Sequence, residues 1–128
     1  MQMEYLFVYG TLLKYFNNEV MQSLKNSLEY LSHGELQGRL IDLGEYPALI
    51  EDTTGNVKGE VYRVADTDKV FEVLDEYEGE EYSREKKLVR LDTNNKIRCW
   101  VYVYRQKPKP EHEKIMSGDY IAFIRNKG

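Results

Sequence analysis

Short runs of β-branched and aromatic residues recur along this 128-residue chain, and they constrain its fold more than any other feature. Such runs are typical of β-strands. Five or six strands are predicted, near residues 5–9, 35–43, 48–50, 57–64, 82–91 and 97–105. Beyond residue 105 an irregular tail is expected. Only two stretches have helical spacing, and the helices do not alternate strictly with the strands. The pattern therefore predicts an α+β fold rather than a doubly wound parallel sheet.

Two helices are predicted from apolar residues that recur at intervals of three or four. The first is expected to run from an asparagine cap at 17–18 to Leu31, with Gly34 as the stop. The second is expected to run from a cap at 66–67 to about Glu78. The last two strands, on either side of residues 92–96, are predicted to form a hairpin.

Length, charge and cysteine content narrow the classes of function. One domain, residues 1–128, fits the usual domain size. The formal net charge is −4 with no cluster of positive residues, so a nucleic-acid partner is not expected. The single cysteine, Cys99, is predicted to be a reduced core thiol. No apolar run approaches the ~18 residues that cross a bilayer, and the first residues do not resemble a signal peptide. A cytoplasmic protein without a membrane partner is expected, and the sequence makes no prediction of its oligomeric state.

The first predicted strand stops abruptly at Gly10, in the segment Tyr9-Gly10-Thr11-Leu12. A glycine at such a corner can adopt positive φ and lets a ligand approach the main chain closely. Successive backbone N–H groups in a turn also form a concave anion-binding nest. Taken alone, the segment is more typical of an ordinary turn than of a binding site. It lacks the glycines and the lysine of a phosphate-binding loop.

One carboxylate of the acidic segment 75–81 is predicted to face the core. At about 100° per residue, Glu78 lies only about 20° from Phe71 on the apolar face of the second helix. The helix C-terminus, the acidic neighbours and partial desolvation should all raise the pKa of Glu78, as a general acid or base requires. Two alternatives remain open: a frayed helix end that leaves Glu78 in water, and a calcium site, although the EF-hand pattern is absent.

Four blocks of sequence resemble, in order, the signatures of the γ-glutamylcyclotransferase-like family. They are Phe7-Val8-Tyr9-Gly10-Thr11-Leu12, Gly44-Glu45-Tyr46-Pro47-Ala48-Leu49, Val57-Lys58-Gly59-Glu60-Val61-Tyr62, and Leu74-Asp75-Glu76-Tyr77-Glu78-Gly79 followed by Tyr82 and Arg84. The resemblance implies an α+β fold built on a small mixed β-barrel of five to six strands flanked by helices. Thr11-Leu12, where some branches carry Ser-Asn, resembles the short branch of γ-glutamylamine cyclotransferases.

The resemblance also implies the site and the reaction. Glu78 is the implied catalytic acid/base. The implied substrate-binding residues are Val8, Tyr9, Gly10, Thr11 and Leu12, whose main chain holds the glutamyl moiety, and Tyr46 and Tyr82 in the pocket wall. Such an enzyme, of lyase or acyltransferase type, cyclises the γ-glutamyl moiety of a small-molecule γ-glutamyl amine or amide. It releases 5-oxoproline and a free amine, and it requires no metal or other cofactor. The alternative is a non-catalytic module of the same fold that binds a γ-glutamyl-like or other anionic small molecule.

Overall fold

Five strands close into a barrel in the computed structural model, which describes residues 3–127. The barrel strands are β1 (Glu4–Val8), β2 (Leu28–Gln37), β5 (Asn56–Val64), β6 (Tyr82–Leu91) and β7 (Lys96–Tyr104), in the order β1-β5-β2-β6-β7. A separate antiparallel sheet contains β3 (Arg39–Asp42), β4 (Pro47–Ile50) and β8 (Glu113–Ile115), with β3 in the middle. The helices are α1 (Glu19–Ser23), α2 (Thr67–Glu78) and α3 (Tyr120–Lys127), and a 3-10 turn spans Lys14–Phe16. The predicted α+β architecture with a small β-barrel is confirmed.

Strand β1 lies between β5 and β7 in the barrel wall. It pairs antiparallel with β5, with Leu6 opposite Tyr62, and parallel with β7, with Leu6 opposite Trp100. The barrel is therefore mixed, as predicted. Leu6, Phe7 and Val8 are all buried, because core side chains cover both faces of this strand. The strand ends at Val8, and Tyr9 and Gly10, which follow it, are also buried.

The helix predicted up to Leu31 is wrong over most of its length. Asn18 does cap it, since its Oδ1 accepts a hydrogen bond from the Val20 N–H at 2.7 Å, but α1 ends at Ser23. Residues 28–37 instead form β2, which pairs along its whole length with β5. Leu31, whose spacing supported the helix, is exposed at a bulge in that ladder. Long-range pairing with β5 outweighs the local helical spacing.

The remaining differences between the predicted and the observed elements lie in the second sheet and in the segment that follows it. The strand predicted at 35–43 divides at Gly38, where the chain leaves the barrel and starts β3. The irregular tail predicted beyond residue 105 contains β8, in which Ile115 pairs with Leu40 of β3, and then α3. Because β8 is three residues long, its apolar pattern is too short to be recognised from sequence.

Helix α2 and the final hairpin match their predicted positions. Val70, Phe71 and Leu74 of α2 are buried against the barrel. The hairpin pairs β6 with β7 from Tyr82 opposite Tyr104 to Arg90 opposite Lys96. Within residues 3–127, no helix has the length and apolar character needed to cross a membrane.

Candidate active site

All eight predicted site residues line one cavity of about 360 Å³. They are Val8, Tyr9, Gly10, Thr11, Leu12, Tyr46, Glu78 and Tyr82. Five further residues complete the lining: Phe7, Glu45, Pro47, Tyr77 and Tyr102. The cavity lies where the end of β1, the end of α2, the β3–β4 loop, β6 and β7 meet. Its volume falls at the lower end of the range for small-molecule sites.

Glu78 is the last residue of α2, and it is only partly exposed. The helix is not frayed here, since the Gly79 N–H donates to the Asp75 carbonyl at 3.0 Å and Gly79 has a φ of 81°. Burial raises the pKa of the Glu78 carboxyl to about 7. The predicted direction is therefore found, with desolvation as its cause. Among residues 3–127, no hydrogen bond to the Glu78 carboxylate contributes to its pKa, and the carboxylate is left available to a ligand.

Four tyrosines surround this carboxylate. Burial raises the pKa values of Tyr9, Tyr46, Tyr82 and Tyr102, and the nearby charge of Glu78 adds to the rise at each. These phenols therefore stay protonated near neutral pH. The Tyr9 hydroxyl donates to the Tyr102 carbonyl at 2.7 Å, and the Tyr82 hydroxyl donates to the Pro47 carbonyl at 3.1 Å. The two bonds hold the rings as fixed walls of the cavity.

Gly10 forms the corner opposite the β3–β4 loop. Glycine is required there, but for a different reason from the expected positive φ. Its φ is not positive. Instead, a Cβ at position 10 would lie 2.6 Å from Cγ of Pro47, so only glycine lets Pro47 pack at this corner. The Leu13 N–H donates to the Gly10 carbonyl at 2.9 Å and closes the turn. The N–H groups of Thr11 and Leu12, inside that turn, find no acceptor among residues 3–127.

Tyr77 links this turn to α2. Its hydroxyl shares a hydrogen bond with Thr11 Oγ1 at 3.2 Å and accepts one from Asn18 Nδ2 at 2.9 Å. Tyr77 directly precedes Glu78, so the link fixes the distance between the Gly10 turn and the carboxylate. The Tyr77 side chain is 42% exposed.

Asp75 anchors the other side of α2, one turn before Glu78. Arg84 of β6 donates to it from Nε at 2.9 Å and from Nη2 at 3.3 Å. The guanidinium also lies over the rings of Phe71 and Trp100, with distances to the ring centroids of 4.2 and 4.5 Å. Tyr102 of β7 donates its hydroxyl to Asp75 Oδ1 at 2.7 Å. The end of the helix is thus fastened to two barrel strands.

Tyr102 lines the cavity but was not among the predicted site residues, although the alternation in β7 could have indicated it. In β7, Val101 and Val103 belong to one core cluster, whereas Tyr102 belongs to the other, with Tyr82 and Phe71. This alternation is visible in the sequence and places Tyr102 on the face toward α2. Glu45 and Pro47 lie in a block that already resembled the family.

Two other features could indicate chemistry, namely Cys99 and the acidic segment 75–81. Cys99 is free and buried, and burial raises the pKa of its thiol to about 12, so the predicted reduced core thiol is confirmed. The acidic segment 75–81 does not gather around a metal position. In the part of the chain that the structure describes, no three His, Cys, Asp or Glu side chains are placed to hold an ion.

Comparisons with known proteins agree with the fold. The sequence model of the family described as "Gamma-glutamyl cyclotransferase, AIG2-like" matches residues 6–122. A Methanocaldococcus jannaschii protein, named as a γ-glutamylcyclotransferase by provisional assignment, is 34% identical over 122 residues, which cover 92% of this chain and 96% of that protein. AIG2-like protein C of Arabidopsis thaliana is 34% identical over 112 residues, which cover 83% of this chain and 62% of the Arabidopsis protein.

A solved structure extends the comparison. The crystal structure of a mouse AIG2-like protein superposes with a TM-score of 0.71 at 26% identity, over 87% of this chain and 82% of the mouse chain. The match of the family model spans almost the whole chain and includes every residue that lines the cavity. The chain therefore belongs to the AIG2-like gamma-glutamyl cyclotransferase family.

Proposed function

We propose that the protein cyclises the γ-glutamyl moiety of a γ-glutamyl amide, which releases 5-oxoproline and a free amine. The observation that carries the proposal is the Glu78 carboxyl, which has no protein partner among residues 3–127 and whose pKa is raised to about 7 by burial. It faces the same cavity as the Thr11 and Leu12 turn. Membership of the family supports this class of activity.

The Gly10 turn would hold the glutamyl end of the substrate. The N–H groups of Thr11 and Leu12 are free to bind an anionic oxygen, as main-chain groups in a turn do well. Tyr82 and Tyr102 close the cavity around the carbon chain of the glutamyl moiety. A chain held in this way is folded toward the near-attack geometry in which the α-nitrogen meets the γ-carbonyl carbon.

Glu78 would move the protons of the reaction. In its ionised form it takes a proton from the α-ammonium group, and the freed nitrogen attacks the γ-carbonyl carbon to form the new C–N bond. The protonated carboxyl then donates to the departing nitrogen as the old C–N bond breaks. Two protons pass in total from the α-nitrogen to an amine that leaves protonated. A pKa of about 7 suits both steps, since the carboxyl must accept and donate at neutral pH.

The product identifies the reaction. Wild-type protein is incubated with γ-glutamyl amines, γ-glutamyl amino acids and γ-glutamyl peptides, with a protein-free control for spontaneous cyclisation. The products are followed by proton NMR. Formation of 5-oxoproline with an equal amount of amine supports the proposal, whereas formation of free glutamate would indicate hydrolysis. No turnover, combined with a rise in Tm on adding γ-glutamyl compounds, would favour the non-catalytic binding module instead.

A further inference from the structure

We propose that Glu60 of β5 is a positioning residue, whose buried carboxylate fixes the Gly10 turn for the glutamyl end of the substrate. Glu60 does not line the cavity, so it acts through the turn and not on the substrate itself. The inference rests on the proposed function, because that function assigns the turn to the glutamyl end. It gives a role to a buried acid that the proton transfers of Glu78 do not use.

The Glu60 side chain lies in the interior, only 7% exposed, within β5. A carboxylate in such a place is costly unless its oxygens find hydrogen-bond donors. Its Oε1 accepts two hydrogen bonds, both at 3.0 Å, one from the main-chain N–H of Lys14 and one from the hydroxyl of Tyr62. The bond from Lys14 connects this buried acid to the candidate active site.

Lys14 follows the Gly10 turn directly. The Leu13 N–H closes that turn on the Gly10 carbonyl, and the 3-10 turn Lys14–Phe16 then begins. The first N–H of a helical turn has no acceptor within the turn, and the side chain of Leu13 cannot supply one. The Glu60 carboxylate therefore caps the 3-10 turn from a different strand, and it fixes the chain one residue past Leu13.

Glu60 thus holds the chain on both sides of the turn. Its main chain lies opposite Val8 in the β1–β5 ladder, two residues before the glycine, and its side chain holds Lys14, four residues after it. Thr11 and Leu12 lie between these two points, and their N–H groups have no acceptor among residues 3–127. The direction of these N–H groups is consequently set from Glu60.

Aromatic contacts keep the carboxylate and Lys14 in place. Burial raises the pKa of Tyr62, and the nearby charge of Glu60 adds to the rise, so the phenol stays protonated and donates to Oε1. The ring of Tyr30 packs edge-on against Tyr62, with 5.8 Å between the ring centroids, and the Lys14 Nζ lies 4.1 Å from the Tyr30 centroid. Removal of the carboxylate would leave the Lys14 N–H without its acceptor and would free the turn to shift.

Steady-state kinetics with γ-glutamyl-n-butylamide test the role of the carboxylate. Glu60→Leu removes the acceptor at similar size, and we expect KM to rise about tenfold while kcat stays within about twofold, because the turn binds the glutamyl end before and during the reaction. Glu60→Gln keeps an oxygen that can accept both bonds, so its KM should stay within about threefold of wild type. A KM for Glu60→Leu equal to that of wild type, or a Glu60→Gln variant as impaired as Glu60→Leu, would overturn the inference.

Val57→Ala is the matched control for lost stability. Val57 is fully buried on the same strand and lies outside the cavity lining, so this variant should lower Tm and leave KM unchanged. If its KM rises as much as that of Glu60→Leu, the effect of Glu60 is general destabilisation and the inference fails.

A binding measurement separates this inference from the proposed function. Isotope-labelled wild type, Glu60→Leu and Glu60→Gln are titrated with 5-oxoproline, which keeps the carboxylate and the carbonyl group of the glutamyl moiety, and the amide NMR signals of Thr11 and Leu12 are followed. Kd should weaken about tenfold in Glu60→Leu and stay close to wild type in Glu60→Gln. Wild type that releases no 5-oxoproline from any γ-glutamyl amide would refute the proposed function, while this titration would still decide the role of Glu60.

A second variant covers the case in which Glu60→Leu does not fold. Tyr62→Phe keeps the carboxylate but removes one of its two donors, and it should weaken Kd about threefold. An unchanged Kd in the folded variant, or wild-type amide signals of Thr11 and Leu12 that do not move with 5-oxoproline, would overturn the inference.

Discussion

Replacement of Glu78 by glutamine should stabilise the folded protein at alkaline pH. In the folded state, burial raises the pKa of Glu78 from 4.5 to about 7. Below about pH 4.5 the carboxyl is neutral in both folded and unfolded chains, so its ionisation costs nothing. Between 4.5 and 7 the unfolded chain ionises first, and stability falls as pH rises. Above pH 7 the carboxyl is ionised in both folded and unfolded chains, and the stability of the fold is lowered by the full amount.

The size of the effect follows from the same values. A rise in pKa from 4.5 to about 7 corresponds to about 3 kcal/mol of lost stability. Residual contact of this partly exposed side chain with water reduces the expected cost to about 2 kcal/mol. Glutamine has nearly the same shape and cannot ionise, so the variant avoids the cost. At pH 8 it should be more stable than wild type by about 2 kcal/mol relative to the difference at pH 4.5.

Urea denaturation at pH 4.5, 6 and 8, followed by tyrosine fluorescence and circular dichroism, measures this difference. Glu76→Gln is the matched control, because Glu76 lies on the exposed face of the same helix. Its stability relative to wild type should vary little with pH. If Glu78→Gln shows the same difference from wild type at all three pH values, burial does not raise the pKa of Glu78.

Three other predictions test the site. Because ionised Glu78 is the base, kcat/KM should rise about tenfold per pH unit below pH 7 and level off above it; a flat profile from pH 5 to 9 would contradict this role. Tyr102→Phe and Asp75→Asn should each cost about 1 kcal/mol of stability or more, and the double variant should cost less than their sum; strict additivity in denaturation would disprove the coupling. Gly79→Ala and Gly79→Asn should each cost about 1–3 kcal/mol, because φ is 81° and ψ is −174°, a region essentially restricted to glycine; an unchanged Tm in either variant would refute this.

The elements that were predicted correctly are those whose signal is local. Strand β1 is a continuous apolar run that ends at Gly10, and α2 has a full apolar stripe that ends at Gly79. The hairpin of β6 and β7 encloses an evident turn at 92–96. Arrangement of these pieces into a barrel was implied by the family resemblance, because strand order depends on pairings that periodicity does not reveal.

The elements that were missed depend on distant partners. Strand β2 has helical spacing at Leu28 and Leu31, and its pairing with β5 and β6 makes it extended. Strand β8 exists because Ile115 completes the small sheet beside Leu40. Gly38 separates two strands at a point where the local sequence has no turn signal beyond the glycine itself.

The predictions about the site divide in the same way, into those that rest on local pattern and those that depend on tertiary contacts. Helical periodicity alone directed Glu78 toward the core, and the structure places it at the cavity. Gly10 was expected to adopt positive φ, which it does not. Glycine is needed there because Pro47 packs closely against it, and this contact depends on the tertiary structure. Tyr102 could have been found from the alternation in β7, but its bond to Asp75 requires α2 and β7 to be adjacent.

The role of Glu78 as the proton-transferring group is tested most directly by one rate comparison. Wild type, Glu78→Gln and the control Glu76→Gln are assayed for 5-oxoproline release from the same γ-glutamyl amide at pH 8, with folding verified by circular dichroism. We predict that Glu78→Gln loses at least about a hundredfold in kcat while Glu76→Gln stays close to wild type. A folded Glu78→Gln protein that releases 5-oxoproline at the wild-type rate would contradict the account.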